Sequence, residues 1–167
     1  MGSRPDRCQP RTSRRHTVRL MREGSFSYDI HAACTPAAAI DLLSDLTRQG
    51  ELHPLIVSVV EQPPATSALR SYRITDVLRL GPLPLRVTYH ADVLSQDDNE
   101  MVTQARQWPR TKVVNRTSVR TSPDGRTHVH VEVTLRAPSA LHAYALRTAR
   151  TAHLALAERI ASVLESD

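Results

Sequence analysis

Apolar and polar residues alternate in segment after segment of this chain, and a helical pattern replaces the alternation only near the C-terminus. The alternation is clearest in residues 25–34, 83–94 and 127–136, where every second side chain is apolar. Such a period of two predicts strands with one buried face. After Pro138, leucine, isoleucine and alanine recur at helical spacing for about 27 residues, which predicts a terminal helix roughly 40 Å long. The fold must therefore combine a sheet with one long final helix.

The segments between these elements show the same two patterns. Residues 37–46 have a helical pattern behind Thr35-Pro36, which is a favourable helix start. Consecutive strands with short connections favour a single antiparallel sheet, which buries its apolar face under the final helix. We therefore predict an α+β domain with a curved sheet of six or seven strands and one or two short helices after the first strand. The further strands, separated by proline and glycine turns, are predicted at residues 55–61, 69–80, 101–108 and 111–121.

The net positive charge is confined to an N-terminal segment. The whole chain has a formal net charge of +5, and residues 1–24 contain seven arginines against Asp6 and Glu23, so the remaining chain is electrically balanced. This segment is rich in arginine, proline and serine, and we predict a disordered leader at residues 1–24 before a folded domain at 25–167. Met21 would also serve as an alternative start. An RNA- or membrane-contacting arm is the functional alternative for the leader, but no interleaved aromatics support it, and nucleic acid is not expected as a partner.

Cysteine content and hydropathy limit the cellular setting. The two cysteines, Cys8 and Cys34, suggest neither a disulfide framework nor a cysteine-based zinc site. The longest strongly apolar run, residues 52–60, is far shorter than the roughly 18 to 20 residues that cross a bilayer. Arg14-Arg15 is not followed by the apolar stretch of an export signal. We therefore predict a cytoplasmic protein without a membrane span, either a monomer or a homodimer.

The order of elements resembles that of the START and Bet v 1-like (SRPBCC) superfamily, specifically its polyketide cyclase/dehydrase and lipid-transport branch. Three local segments are similar as well: residues 36–46 as the first helix, His53-Pro54-Leu55-Ile56-Val57-Ser58-Val59 at the second strand, and Ala137-Pro138 before the final helix. The resemblance covers residues 25–165. It departs at Ala68-Leu69-Arg70, where the family usually has Gly-Thr. The resemblance implies a helix-grip fold, in which the sheet wraps around the C-terminal helix.

The resemblance also implies a cavity between the sheet and the final helix. We expect such a cavity to bind an apolar or amphipathic small molecule, either a lipid or a polyketide-like compound. An aromatase, cyclase or dehydratase that uses an acid or base in the pocket is the alternative. A third hypothesis is a protein-interaction module that acts through the basic leader. No metal or cofactor is expected, because the chain has no Gly-rich phosphate loop, nucleophile elbow or HExxH motif.

Three polar residues on neighbouring strands are the first candidates for ligand contact. Tyr72 and Asp76 share one face of a predicted strand, and Tyr89 faces the same side on its hairpin partner. A carboxylate and two phenols would then converge on a ligand, and a buried Asp76 would be the best general acid or base. The opposing interpretation is that Asp76 faces water at a strand end and that both tyrosines belong to the core.

The next two strands supply three further candidates, but their orientation is open. Arg106 and Trp108 share one face of the strand at 101–108, and Asn115 lies on the following strand. An inward Arg106 would anchor a carboxylate or enolate oxygen, although an unpaired buried guanidinium is so costly that an exposed side chain is favoured. We expect Trp108 to form a pocket wall. Asn115, if inward, would be a neutral hydrogen-bonding group there.

Histidines provide the last candidates. His153 lies on the apolar stripe of the final helix and is predicted either to contact the ligand, as a second catalytic candidate, or to bond to a group of the sheet. His128, His130 and Glu132 imitate a metal-binding set, but the outer two are roughly 13 Å apart on a strand and all three oppose the apolar face. We therefore assign these three to solvent and predict no metal site.

Overall fold

The computed structural model describes residues 20–80 and 82–166, so most of the predicted leader lies outside the described residues. The described elements follow the predicted order of a strand, short helices, six further strands and a long helix. In chain order they are β1 (Met21–Ala32), α1 (Pro36–Ser44), α2 (Leu46–Leu52), β2 (Ile56–Gln62), β3 (Arg70–Leu80), β4 (Leu83–Gln96), β5 (Glu100–Gln107), β6 (Thr111–Thr121), β7 (Thr127–Pro138) and α3 (Ser139–Leu164).

Within the described residues the strands form one antiparallel seven-stranded sheet. Its spatial order is β1-β7-β6-β5-β4-β3-β2, so each strand from β2 onward pairs with its sequence neighbour and β1 joins the edge beside β7. The inner face follows from the register: Phe26 pairs with Val133, Tyr28 with Val131 and Tyr89 with Ile74. This curved sheet with one long C-terminal helix confirms the predicted α+β helix-grip fold.

The sheet begins earlier than the sequence suggested. β1 starts at Met21, which pairs with Pro138 of β7, so residues 21–24 belong to the sheet and not to a leader. Strand pairing uses backbone groups and needs no apolar side chain. The charged residues Arg22 and Glu23 therefore gave no alternation pattern that would predict the start of β1. Gly24 allows α3 to approach closely, because a Cβ atom there would lie 2.9 Å from Leu146 Cδ2.

Two short helices follow β1, in agreement with the predicted one or two, and they divide the helical pattern of residues 37–46 between them. α1 begins as expected, with the Thr35 hydroxyl accepting a hydrogen bond from the Ala38 N–H at 3.2 Å. Asp45 has extended backbone angles that end α1, and its carboxylate accepts hydrogen bonds from the N–H groups of Thr47 and Arg48. Asp45 is thus both the end of α1 and the N-cap of α2.

Helix α3 lies mainly over β1 and β7, and its two halves are packed differently. Residues 156–164 bury Leu156, Ala157, Ile160 and Leu164, whereas the small side chain of Ala152 is the only buried one that the structure describes in residues 139–155. We call residues 156–164 and the core they cover the closed half, and residues 139–155 with the inner face they approach the open half. None of the described helices is long and apolar enough to cross a membrane.

Candidate functional site

The inner face of the sheet in the open half is only partly covered. Val87, Tyr89, Ala105 and Val113 face inward, yet each is half-buried, whereas Val129 and Val133 are fully buried at 0% exposure. Apolar side chains on an inner face keep accessible surface only where no other group packs against them. The open half therefore contains space between β3–β6 and the first part of α3.

A gap between α3 and the segment before β2 leads toward this space. It has a volume of about 330 Å³ and is flanked by Leu55. The Val77 N–H donates to the Leu55 carbonyl at 2.8 Å, so one residue that flanks the gap is hydrogen-bonded to the residue after Asp76. A larger groove lies beside the start of β1 and the first turn of α3, and we assign no site to it. The residues that line the gap are Pro54, Leu55, Arg147, Thr148, Thr151, Ala152 and Ala155.

Asp76 and Tyr89 form a buried acid–phenol pair in the open half. Asp76 is 9% exposed, and the Tyr89 hydroxyl donates a hydrogen bond to its Oδ1 at 3.2 Å. Burial raises the pKa of Asp76 to about 6, although the hydrogen bond from Tyr89 opposes the shift. Burial and the neighbouring carboxylate raise the pKa of Tyr89 above its ordinary value. Tyr72 shares the inner face, as predicted, but it is 3% exposed and packed in the core.

His153 lies in a second polar cluster, nearer the middle of α3. Its Nδ1 is 3.5 Å from the Tyr28 hydroxyl, and its ring lies 5.7 Å from Phe26 and 6.1 Å from His53, centroid to centroid. Burial lowers the pKa of His153 to about 4. The pKa of His53 is also lowered to about 4, mainly by burial and to a smaller extent by the charges of His153 and Arg159. Both imidazoles are therefore neutral near neutral pH and can donate and accept hydrogen bonds.

Sequence reasoning missed two members of this cluster. Tyr28 lies on the inward face of β1 and was assigned only to a strand core, whereas His53 follows α2 in the His53-Pro54 step. A signal was available for each: an aromatic hydroxyl at an inward position, and an imidazole directly before the proline that ends a helix. Neither signal distinguishes a core residue from a site residue without the position of α3.

Two fully buried polar atoms have no hydrogen-bond partner among the described residues. They are Asn115 Oδ1 and His142 Nε2. Asn115 pairs with Thr103 and Val133, so it lies on the inner face, the orientation that the sequence left open. An unpaired buried polar atom costs roughly 1–3 kcal/mol, so natural proteins seldom retain one without a use. Asn115 lies three strands from Asp76, about 14 Å across the sheet, and the register displaces it by six residues, roughly 20 Å, along the strands. The two residues therefore do not converge on one atom of a ligand.

Arg106 and Trp108 do not line the interior. Met101, Thr103 and Ala105 take the inward positions of β5, so Arg106 faces outward with 57% of its side chain exposed. The expectation that Trp108 forms a pocket wall is wrong, because this side chain is 86% exposed where β5 turns into β6. Both faces of β5 mix polar and apolar residues, so the sequence did not indicate which face is turned toward the interior.

The outward face of β4 and β5 holds a structural carboxylate. Asp92 is 3% exposed; its Oδ2 accepts from Arg106 Nη2 at 2.7 Å and its Oδ1 from the Ser71 hydroxyl at 2.7 Å. Ser71 in turn accepts from the Ala65 N–H at 3.0 Å. This chain of bonds ties the loop between β2 and β3 to the outer face, which explains why Arg106 is turned away from the interior.

The histidines of β7 lie on the outer face, as predicted. His128 Nε2 and His130 Nδ1 both contact Asp29 Oδ1, at 2.7 and 2.8 Å, and these hydrogen bonds lower the pKa of Asp29. Glu132 is exposed on the same face. Among residues 20–80 and 82–166, no cluster of histidine, cysteine or acidic side chains is arranged to hold a metal ion.

The family follows from a comparison with known proteins. The model of the family described as polyketide cyclase / dehydrase and lipid transport matches residues 23–165, which is nearly the whole described chain. The chain belongs to this family. No curated protein sequence matches it. Family and fold together are those of proteins that bind hydrophobic ligands or act as polyketide cyclases.

Solved structures share this fold at low sequence identity. The di-domain ARO/CYC proteins StfQ, from the steffimycin pathway, and BexL, from the BE-7585A pathway, superpose with TM-scores of 0.68 and 0.66 at 11% and 18% identity. These superpositions cover 85% and 86% of this chain but 50% of each partner, so the chain spans half the length of the di-domain proteins. A START superfamily protein from Mycobacterium smegmatis superposes with a TM-score of 0.62 at 14% identity, over 83% of this chain and 98% of that one.

Proposed function

We propose that this protein binds an apolar or amphipathic small molecule, a lipid or a polyketide-like compound, in the open half between the sheet and α3. The observation that carries the proposal is a set of four half-buried side chains on the inner face, opposite the part of α3 with almost no buried residues: Val87, Tyr89, Ala105 and Val113. An apolar wall with a few well-placed polar groups is the usual composition of a small-molecule site. Asp76 and Asn115 are such polar groups.

The family supports this proposal more than it supports a particular reaction. Lipid transport and cyclisation are both named in the family description, and both need an enclosed apolar space. Other hypotheses rest on less. Most of the basic leader lies outside the described residues, so a protein-interaction module has no described surface to support it. A cytoplasmic location and a monomeric or homodimeric state remain proposals as well.

Native mass spectrometry of the full chain tests the binding proposal. The protein is measured before and after extraction with organic solvent, and is then titrated with fatty alcohols and polycyclic aromatic compounds. We expect a ligand that leaves with extraction, or saturable binding of at least one panel member. An extracted protein that binds none of these compounds contradicts the proposal.

A matched pair of variants locates the bound compound. Ala105→Trp fills the open half from β5, and Lys112→Trp adds the same bulk at an exposed position of β6. We expect the first variant to weaken binding at least ~10-fold, because the added indole occupies the space that the ligand needs, and the second to leave binding unchanged. Equal effects of the two would place the ligand elsewhere.

A polyketide cyclase or dehydratase is the second candidate function. Asp76 favours it, because a carboxyl group with a pKa of about 6 is matched to proton transfer near neutral pH and is held by the Tyr89 hydroxyl. His153, the other catalytic candidate, is neutral and lies in the cluster with Tyr28. Mass spectrometry with a linear poly-β-keto compound separates the two functions: a carrier releases the compound unchanged, whereas a cyclase that condenses and dehydrates it releases a product lighter by one water than the same compound incubated without protein.

A further inference from the structure

Charge is distributed unevenly over the open half. Asp76 faces the space from β3, and its neighbours in the register are Ile56 of β2 and Val87 of β4, both apolar. Within residues 20–80 and 82–166, the pKa of Asp76 is affected by burial and by the hydrogen bond from Tyr89. No arginine, lysine or histidine of these residues shifts that pKa. The structure shows no ion pair for Asp76 among these residues. No described residue therefore supplies a counter-charge to this carboxylate.

One oxygen of Asp76 remains available to a ligand. Tyr89 donates its hydroxyl to Oδ1, and no described group donates to Oδ2. Oδ2 is also not among the fully buried polar atoms that lack a partner, so it keeps accessible surface on the inner side of the sheet. A carboxylate oxygen in an apolar surrounding accepts hydrogen bonds and repels other anions.

The nearest positive charge of the gap lies on its outside. Arg147 lines the mouth, and its side chain is exposed to solvent. Arg159, farther along α3, donates to the Leu52 carbonyl at 2.8 Å and is also exposed. An anionic ligand would meet these arginines at the surface, but it would have no cationic partner beside Asp76.

We infer that the inner end of the ligand beside Asp76 carries an uncharged hydroxyl or phenol that donates to Oδ2, and that the site rejects ligands which place a carboxylate or phosphate there. This inference rests on the proposed function and narrows its ligand class. Neutral alcohols, sterol-like compounds and phenolic aromatic compounds satisfy the requirement, whereas a fatty acid that enters with its head group first does not. The selecting element is a carboxylate that is ionised above about pH 6 and has no counter-charge among the described residues, so it discriminates by repulsion as well as by attraction.

Three probes with one carbon skeleton test this inference. They are 2-naphthol, 2-naphthoate and 2-methylnaphthalene, titrated by calorimetry into the extracted full-length protein at about pH 7.5, where 2-naphthol is neutral and naphthoate is charged. We expect 2-naphthol to bind at least ~10-fold more tightly than 2-naphthoate. It should also bind at least ~3-fold more tightly than 2-methylnaphthalene, which has no hydroxyl to donate a hydrogen bond. The same series is measured on Asp76→Asn and on Asp98→Asn, an exposed carboxylate in the turn between β4 and β5.

The variants separate a charge effect from a general preference. Asp76→Asn keeps the size of the side chain and removes the charge, so the penalty against 2-naphthoate should fall to about 2-fold, while binding of 2-methylnaphthalene should not change. Asp98→Asn should retain the full discrimination. The inference is overturned if naphthoate binds as tightly as naphthol, or if the discrimination persists in Asp76→Asn. In either case, binding of 2-methylnaphthalene would still support the proposed function. Failure of all three probes to bind contradicts both.

Discussion

The two halves of α3 show how one helix serves both packing and binding. In the closed half, Leu156 and Ile160 are 4% and 1% exposed and meet aliphatic residues of the sheet and α1. In the open half, the side chains that face the sheet are half-buried, and the groups opposite them include Asp76, whose pKa is raised to about 6. The buried polar residues level with Tyr28 and Ala32 are Thr117 and Thr127, whose hydroxyls carry no charge. The open half retains polar groups whose burial destabilises the fold, as ligand sites commonly do.

The strongest test of this comparison is a pair of truncations on α3. Ile160→Ala should lower the free energy of unfolding by about 3–4 kcal/mol, because it leaves a cavity in a fully packed region. Leu146→Ala, at a half-buried position of the open half, should cost about 1 kcal/mol. Urea denaturation followed by far-UV circular dichroism measures both. Equal losses would mean that the open half is packed as a core, and the distinction between the halves would then fail.

Most of the fold was predictable because local signals agreed. The alternation in β1, β4 and β7 and the turn residues between strands identify the elements, and the length of α3 indicates what covers the sheet. Two boundaries were missed for local reasons. Backbone pairing extends β1 to Met21 without apolar side chains, and the Asp45 carboxylate starts a second helix where the sequence suggested a continuous one.

The candidate site was harder to predict because it depends on which face of each strand turns inward. The alternation is clear in β4 and imperfect in β3, but it was sufficient to put Asp76 and Tyr89 on the same side, where they are hydrogen-bonded. On β5 the two faces differ little in hydropathy, and the position of Arg106 is decided by Asp92, a buried carboxylate on the outer face. His53 lies close to His153 because of the path that the chain takes between α2 and β2, and no local sequence pattern predicts that path.

The stability of the open half should depend on the charge of Asp76. Because the folded-state pKa of about 6 lies above the ordinary value of 3.8, the unfolded chain ionises first, and the fold loses stability as pH rises between these two values. The loss is complete above about pH 6 and amounts to about 3 kcal/mol at most. Asp76→Asn should therefore raise the free energy of unfolding by ~1–3 kcal/mol near pH 7.5, and should have little effect near pH 3, where the wild-type carboxyl is largely protonated in both states.

Urea denaturation of the wild type and the variant at these two pH values checks this expectation. Asp98→Asn serves as the matched control, since it removes one carboxylate from an exposed turn, and it should alter stability little at either pH. A variant that is less stable than the wild type near pH 7.5 would show that the hydrogen bond from Tyr89 outweighs burial of the charge. The open half would then be stabilised by its acid, contrary to the comparison with the closed half.

The smallest effect is expected at Trp108, at the rim of the sheet. Its side chain is 86% exposed, so Trp108→Ala should change the free energy of unfolding by less than about 0.5 kcal/mol and should not alter ligand affinity. Far-UV circular dichroism is the appropriate probe of unfolding here, because the substitution removes the only tryptophan of the chain. A loss of affinity of ~10-fold or more would extend the ligand site beyond the inner face and across the turn between β5 and β6. In that event the exposed Trp108 side chain would be part of a binding surface, and the ligand site would extend to a residue outside the concave face of the sheet.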